Sequence, residues 1–263
     1  MTSLSPAATR AIAETLLDEH RQGLPFHLLP DIATDAVDDA YRIQQEYVRL
    51  RQLERPSGVV GYKIGLTSPA MQAMCGIDSP VYGCIFADTL HPSGSELSLR
   101  QFQHLGIEFE IAVRLGRDLA NDRDLGLTDI AAAVDAICPA FELVEDRSAD
   151  YGALNAVSLV ADNSWSAGAV LGAWQPLLDG LSECNGRVRL DGVQIDAGRV
   201  GDALDDPLAT VAWLARQLRM RGQALAGGDL VMTGSIVRTR FPTPGQAWEY
   251  DVDGLGSVRL LCR

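Results

Sequence analysis

The sequence has little positive charge, and it has no long hydrophobic run. Its 263 residues include 22 Lys and Arg against 35 Asp and Glu, a formal net charge of -13. This balance argues against nucleic-acid binding, which draws on clustered basic residues to release counterions. The short basic run Arg216, Arg219 and Arg221 is typical of a solvated helix face. No apolar stretch approaches the roughly 20 residues of a membrane span. The N-terminus lacks a secretory pattern, so we expect a cytoplasmic protein.

Cysteine is scarce, and histidine is scarcer. The five cysteines contain no C-x-x-C pair, so the sequence predicts neither a disulfide framework nor a thiolate zinc site. We expect reduced, mostly buried thiols. None of the four histidines has ligand-like spacing, although His104 stands close to a pair of glutamates and could either support them or serve in packing. The cysteines are Cys75, Cys84, Cys138, Cys184 and Cys262.

Lysine is almost absent from the chain. Of the 22 basic residues, Lys63 alone is a lysine and the others are arginines. Arginine therefore serves wherever a general surface cation is needed. A position that keeps lysine then suggests a need for a compact ammonium whose pKa responds to burial. Survival of a single lysine by chance remains the alternative.

Two amphipathic helices are predicted in the first quarter of the chain. Residues 6–22 place Ile12, Leu16 and Leu17 on one face and end at Gly23. A second apolar periodicity of three and four residues runs from about 35 to 53. We interpret residues 1–58 as a small helical cap region and residues 59–263 as a β-rich catalytic domain, although the two could count as one domain.

Short strand-like runs dominate the remainder of the chain. Asp191-Gly192 predicts a tight hairpin. Helical patterns interrupt these runs at about 127–137 and at 207–221, where Asp206 is the candidate N-cap. Helices and strands do not alternate regularly, so we predict an α+β fold with a mixed sheet, not a doubly wound or TIM-type sheet. The predicted strand runs are VVGYKIGLT, VYGCIFAD, IEFEIAVRL, VSLVADNS, AGAVLGAW, RVRLDGVQID, DLVMTGSIV and WEYDVDGLGSVRLLC.

Three glutamates are candidate ligands for one hard divalent cation. Glu108 and Glu110 are two residues apart in a predicted strand, so their side chains share one face. Burying two like charges is costly, and a cation between them would compensate. Glu142, in the apolar stretch PAFELVEDR, would supply a third oxygen ligand. Such a set suits Mg²⁺ or Mn²⁺. Alternating glutamates also fit the solvated face of an amphipathic strand, with Ile107, Phe109 and Ile111 buried.

Five sequence blocks, in this order, resemble the 2-keto-4-pentenoate hydratase and 4-oxalocrotonate decarboxylase branch of the fumarylacetoacetate hydrolase superfamily. The resemblance runs from about residue 40 to the C-terminus. It implies the β-rich mixed-sheet fold of that superfamily's C-terminal domain. The blocks are GYKIGLTSPAMQAMCGIDSPVYGCIFAD, GIEFEIAVRLGRDL, PAFELVEDRSADY, ADNSWSAGAVLG and GGDLVMTGSI.

The same resemblance implies roles for particular residues. The metal ligands would be Glu108, Glu110 and Glu142. Lys63 matches the lysine of the family motif and would be a catalytic residue. Asp78 matches an acidic position of the family and would orient or deprotonate water. The match around ADNSWSAG is looser, because Trp165 is bulkier than the residue expected there. The resemblance therefore does not specify the chemical identity of the substrate tail. The implied substrate-binding residues are Ser164, Ser166, Thr233 and Gly234.

The activity implied is that of a lyase that hydrates 2-hydroxypenta-2,4-dienoate-like acids in the meta-cleavage breakdown of aromatic compounds. The alternative within the same branch is a decarboxylase of 2-oxo-3-hexenedioate. A non-catalytic partner subunit is the third possibility. The His and Glu pair expected on an early lid of the hydrolases has no match here, which argues against C–C bond hydrolysis. The resemblance also implies a homo-oligomer, which could associate with a pathway enzyme.

Overall fold

The computed structural model describes residues 4–29, 32, 37–119, 122–203 and 206–263. Six α-helices lie within these ranges. Capping residues mark ends of two of the long helices, the first and the last. Ser5 accepts a hydrogen bond from the Ala8 amide at the start of the first helix, and Gly23 ends it in a left-handed conformation. Asp206 caps the last helix through the Leu208 amide, as predicted. The helices are α1 Pro6–Gln22, α2 Val37–Glu54, α3 Pro69–Met74, α4 Leu127–Ala131, α5 Ala156–Ala161 and α6 Pro207–Met220.

Twelve strands of the described residues form two mixed sheets, which confirms the predicted α+β class. The seven-stranded sheet has the order β2-β1-β10-β5-β6-β7-β3, and the five-stranded sheet has the order β4-β12-β11-β8-β9. The strands are β1 Val59–Gly65, β2 Val81–Phe86, β3 Leu90–Pro92, β4 Ser95–Leu97, β5 Leu105–Leu115, β6 Val134–Glu145, β7 Ser166–Leu171, β8 Asn185–Leu190, β9 Val193–Arg199, β10 Leu230–Met232, β11 Ala247–Val252 and β12 Gly256–Cys262.

The core lies between the two sheets. Phe109 of β5 and Phe141 of β6 are register partners, and both are fully buried. Their rings meet edge to face at 5.5 Å, and Phe109 also contacts Tyr250 of the second sheet at 5.8 Å. Successive side chains of a strand point to opposite faces. Glu108 and Glu110 therefore lie on the face of β5 that points away from this aromatic layer.

Most predicted elements are confirmed. Helix α1 has the predicted limits, and the predicted 35–53 helix is observed from Val37 to Glu54, with residues 35 and 36 outside the described ranges. Asp191 and Gly192 form the predicted hairpin turn, both with positive φ. All five cysteine thiols are free, and four of them are buried. No helix among the described residues is long and apolar enough to cross a membrane.

Two element predictions are wrong. The helix expected at 127–137 stops at Ala131, and β6 begins at Val134, because pairing with β5 continues over most of the length of both strands. The run VSLVADNS, predicted as a strand, forms α5 instead. Asn155 caps that helix by accepting a hydrogen bond from the Ser158 amide, and every residue of the helix is buried. A short helix buried on all sides has the same continuous apolar pattern as a buried strand.

Candidate metal centre

Three carboxylates converge on one face of the seven-stranded sheet. Glu108 of β5 pairs directly with Glu142 of β6, and Glu110 follows two residues further along the same face. One oxygen from each carboxylate lies within 4.8 Å of the others. Glu110 and Glu142 are fully buried, while Glu108 is partly exposed. The alternative of a solvated strand face therefore fails for Glu110 and Glu142.

This convergence perturbs the carboxyl groups strongly. Burial raises the pKa of Glu110 well above its ordinary value, and repulsion from Glu142 and Glu108 adds to the effect. The pKa of Glu142 rises to about 7, mainly because of burial, although Lys63 opposes the shift. Each group is therefore costly to ionise without an added positive charge.

The hydrogen bonds around the carboxylates leave oxygens available. The Gly234 amide donates to Glu110 Oε2 at 2.9 Å, and the Thr239 hydroxyl donates to Glu108 Oε1 at 2.5 Å. Glu110 Oε1 and Glu142 Oε2 are buried without a hydrogen-bond partner among the described residues. Buried polar atoms are rarely left unpaired. Orphaned oxygens in a set of hard donors fit a divalent cation such as Mg²⁺ or Mn²⁺.

Lys63 completes the charged cluster. Its Nζ lies 2.7 Å from Glu142 Oε1, and its side chain is only 5% exposed. Burial lowers the pKa of this ammonium, but Glu142, Glu108 and Glu110 together outweigh that effect and raise it. Lys63 therefore remains a cation in the absence of metal. A Cβ at Gly65 would lie 3.5 Å from Nζ, an ordinary van der Waals distance, so Gly65 faces the ammonium.

Residues 163–165 form a wall beside Lys63. Gly83 of β2 is the register partner of Lys63, so the two residues point to the same face. A Cβ at Gly83 would lie 2.3 Å from the Asn163 carbonyl oxygen, which shows how closely this segment covers the strand. Ser164 is buried, and its hydroxyl donates to the Tyr82 carbonyl at 2.9 Å. The Asn163 side chain bonds both the amide and the carbonyl of Cys84.

The other predicted site residues occupy different positions. Thr233 is buried and donates its hydroxyl to the Ile111 carbonyl, while the next residue, Gly234, contacts Glu110 directly. Ser166 begins β7 opposite Val144. Asp78 lies exposed in the turn before β2 and makes no hydrogen bond or ion pair with the described residues.

Some site residues were not found from the sequence. Thr239 bonds Glu108 but lies outside the recognised blocks, so no sequence signal marked it. Asp146 is fully buried and bonds His104 Nδ1 at 2.8 Å and the Tyr151 hydroxyl at 2.9 Å. The His104 ring therefore bonds Asp146, and its backbone amide donates to Glu145. Asp146 and Tyr151 belong to the PAFELVEDRSADY block, which could have directed attention to them.

The chain matches known proteins over most of its length. The family model described as fumarylacetoacetate (FAA) hydrolase C-terminal matches residues 68–260. A 2-keto-4-pentenoate hydratase of Paraburkholderia xenovorans is 33% identical over 259 residues, which cover 97% of this chain and 95% of the relative. A 4-oxalocrotonate decarboxylase of Pseudomonas putida is 33% identical over 257 residues, which cover 94% of each chain.

One solved structure is similar over its full length. It is a 4-oxalocrotonate decarboxylase of Pseudomonas putida complexed with magnesium and adipate. The two chains share 28% identity, superpose with a TM-score of 0.91 and cover 100% of each other. The similarity includes the N-terminal helices as well as the two sheets.

Proposed function

Because this chain belongs to the fumarylacetoacetate hydrolase family, we propose that it is a metal-dependent hydro-lyase. Its substrates are 2-hydroxypenta-2,4-dienoate-like acids, and its products are 4-hydroxy-2-oxo acids. The observation that carries the proposal is the convergence of Glu108, Glu110 and Glu142 within 4.8 Å, two of them buried, beside the chain's one lysine. Relatives named as hydratases support this activity.

Glu108, Glu110 and Glu142 would hold the divalent cation. Their donors are oxygens alone, which suits Mg²⁺ or Mn²⁺, and a solved relative contains magnesium. When bound, the cation supplies Lewis acidity to neighbouring carboxylate and carbonyl oxygens of a 2-oxo acid. The Gly234 amide and the Thr239 hydroxyl fix the orientation of the Glu110 and Glu108 carboxylates.

Lys63 would stabilise developing negative charge on the substrate and hold a proton. Conversion of the dienol to its keto form moves a proton from the C2 oxygen to C5, and negative charge develops on the C2 oxygen during that transfer. The buried ammonium of Lys63 stabilises this charge and holds a proton at Nζ. Water then adds to the conjugated ketone, with hydroxide bonding to C4 and a proton to C3. Asp78, exposed in the turn before β2, is the proposed residue that orients this water.

The wall formed by residues 163–165 would border the substrate tail. Trp165 is buried, and its ring meets Phe26 edge to face at 5.1 Å and Tyr151 at 5.7 Å. The Arg147 guanidinium lies 5.8 Å from the same Phe26 ring, so the surroundings of the wall combine aromatic surface with a cation. Ser164, Ser166, Thr233 and Gly234 remain the proposed substrate-binding set.

A second candidate is decarboxylation of 2-oxo-3-hexenedioate. The 0.91 TM-score to a 4-oxalocrotonate decarboxylase favours it, and that activity uses the same cation and enolate chemistry. A non-catalytic partner subunit is the third candidate. A homo-oligomer, association with a pathway enzyme and a cytoplasmic location belong to the same proposal.

One assay separates these functions. The purified protein with Mg²⁺ is given either the dienoate or 2-oxo-3-hexenedioate, and both substrate loss and released CO₂ are quantified. Hydration without CO₂ release supports the proposal, and CO₂ release supports the decarboxylase. Metal binding without turnover of either acid supports a partner subunit. Glu108→Gln should abolish turnover and metal dependence, whereas Glu183→Gln, an exposed control, should change neither.

A further inference from the structure

Two unusual turns flank the proposed site. Arg147 and Ser148, which follow β6, have φ angles of 48° and 58°. Asn163, Ser164 and Trp165, which precede β7, have φ angles of 50°, 50° and 57°. Left-handed backbone at residues other than glycine costs about 1–3 kcal/mol each and persists only where surrounding structure enforces it. Such strain often marks functional segments, so the contacts that hold these turns are informative.

A buried ion pair joins the two turns. Arg147 Nη2 lies 2.7 Å from Asp162 Oδ2, and the side chains are 1% and 0% exposed. Asp162 precedes the left-handed segment, and its carbonyl accepts a hydrogen bond from the Trp165 amide at 3.0 Å. The pair therefore links the start of the 163–165 wall to the end of the strand that carries Glu142.

Helix α1 and the segment that follows it complete this network. His20 Nε2 lies 2.6 Å from Asp162 Oδ1, and Arg147 Nη1 lies 3.4 Å from Glu19 Oε2. The Arg147 guanidinium also donates to the Leu24 carbonyl at 3.1 Å. A guanidinium presents several donors in a fixed plane and can serve carboxylates from different elements at once. Lysine cannot reproduce this geometry.

We propose that Arg147 is a positioning residue: through Asp162 it fixes the 163–165 wall beside Lys63, and through Glu19 it makes docking of helix α1 a condition for full activity. The inference rests on the proposed function, because it assigns the wall to the substrate. Through Glu19 and His20, helix α1 then helps to position the wall, although it carries neither a metal-ligand candidate nor Lys63. Metal binding should not depend on the pair, since the side chains of Asn163 and Ser164 form their hydrogen bonds with β2.

The test compares four variants with the wild type below their unfolding temperatures. Arg147→Lys keeps the charge and loses the planar fork, and Asp162→Asn keeps the shape and loses the charge. His20→Gln is the milder variant, because His20 is partly exposed and its contact with the network is the bond to Asp162. Arg10→Gln is the matched control, since Arg10 on the same helix is exposed and pairs with Glu14 of that helix.

We expect kcat/KM to fall about 10²-fold in Arg147→Lys and Asp162→Asn, the loss typical of a small displacement at a site. His20→Gln should lose less, and Arg10→Gln should match the wild type. The magnesium dissociation constant should stay within twofold of the wild-type value. Acrylamide quenching of Trp165 emission, assigned with Trp165→Phe, should increase in the two strong variants, and this readout does not require turnover.

Two results overturn the inference. One is unchanged kcat/KM and unchanged Trp165 quenching in Arg147→Lys and Asp162→Asn. The other is a loss of activity that only follows an equal loss of metal binding or of folded protein. Failure of the proposed function looks different: the wild type itself turns over neither acid, while the quenching difference between wild type and Arg147→Lys still reports on the wall.

Discussion

Lys63 Nζ lies 2.7 Å from Glu142 Oε1, and both side chains are buried. This pair decides the charge of the cluster. With all three carboxylates ionised, three negative charges and one positive charge leave a net charge of -2. A divalent cation would neutralise that charge, and a monovalent cation would not. In the proposed site, Lys63 would therefore help to match the charge of the cluster to a divalent cation.

Glu110→Gln should stabilise the metal-free protein while it removes metal binding. Glu110 is buried between like charges, so a neutral amide of the same shape relieves repulsion and can still accept from the Gly234 amide. We expect a gain of about 1 kcal/mol in the free energy of unfolding with EDTA present. Thermal unfolding with EDTA and with excess Mg²⁺ measures both effects. A variant that is less stable than the wild type in EDTA, or one still stabilised by Mg²⁺, would contradict the assignment.

Lys63→Arg should separate charge from proton chemistry. The variant keeps a cation near Glu142, but the planar guanidinium changes the geometry at this buried position and cannot readily give up a proton. We expect kcat to fall about 10²-fold with metal affinity nearly preserved. Steady-state kinetics and magnesium titration measure this. Near-wild-type turnover would remove Lys63 from the reaction.

Gly83→Ala should displace the wall without touching the glutamates. The added methyl would lie 2.3 Å from the Asn163 carbonyl oxygen, so the backbone has to move. We expect a loss of about 1–3 kcal/mol in stability, together with a raised KM. Gly58→Ala is the control, because a Cβ there meets nothing within 4 Å. Equal KM values in the two variants would show that the wall does not hold substrate.

Asp162 should contribute to acid unfolding. Burial opposes its ionisation, but His20 and Arg147 outweigh that effect and lower the pKa of Asp162 in the folded protein. A folded pKa below the unfolded value of about 3.9 stabilises the protein above that pH, and the contribution is lost as the pH falls through the folded pKa. Asp162→Asn should therefore cost about 3 kcal/mol at neutral pH, and the cost should shrink as the pH falls through the folded pKa of Asp162. Urea unfolding at several pH values tests this, and a cost independent of pH would contradict it.

Local patterns were sufficient for much of the fold. The cap at Asp206, the glycine stop at Gly23 and the Asp191-Gly192 turn follow from chemistry within a few residues, and each was confirmed. Failures occurred where neighbours in space decided the outcome. Residues 157–161 of VSLVADNS form a helix that its surroundings bury on all sides, and residues 134–137 joined a strand because β5 offers a partner.

The sequence by itself determined that Glu108 and Glu110 share one strand face, because the two-residue period of a strand is a local property. It also singled out Lys63 by composition. Only the tertiary structure decided that Glu142 stands opposite Glu108, that Lys63 reaches Glu142, and that Arg147 meets Asp162 and α1. Strand register and helix docking bring these residues together, and both are set by the balance of burial and pairing over the whole chain, which no short segment contains.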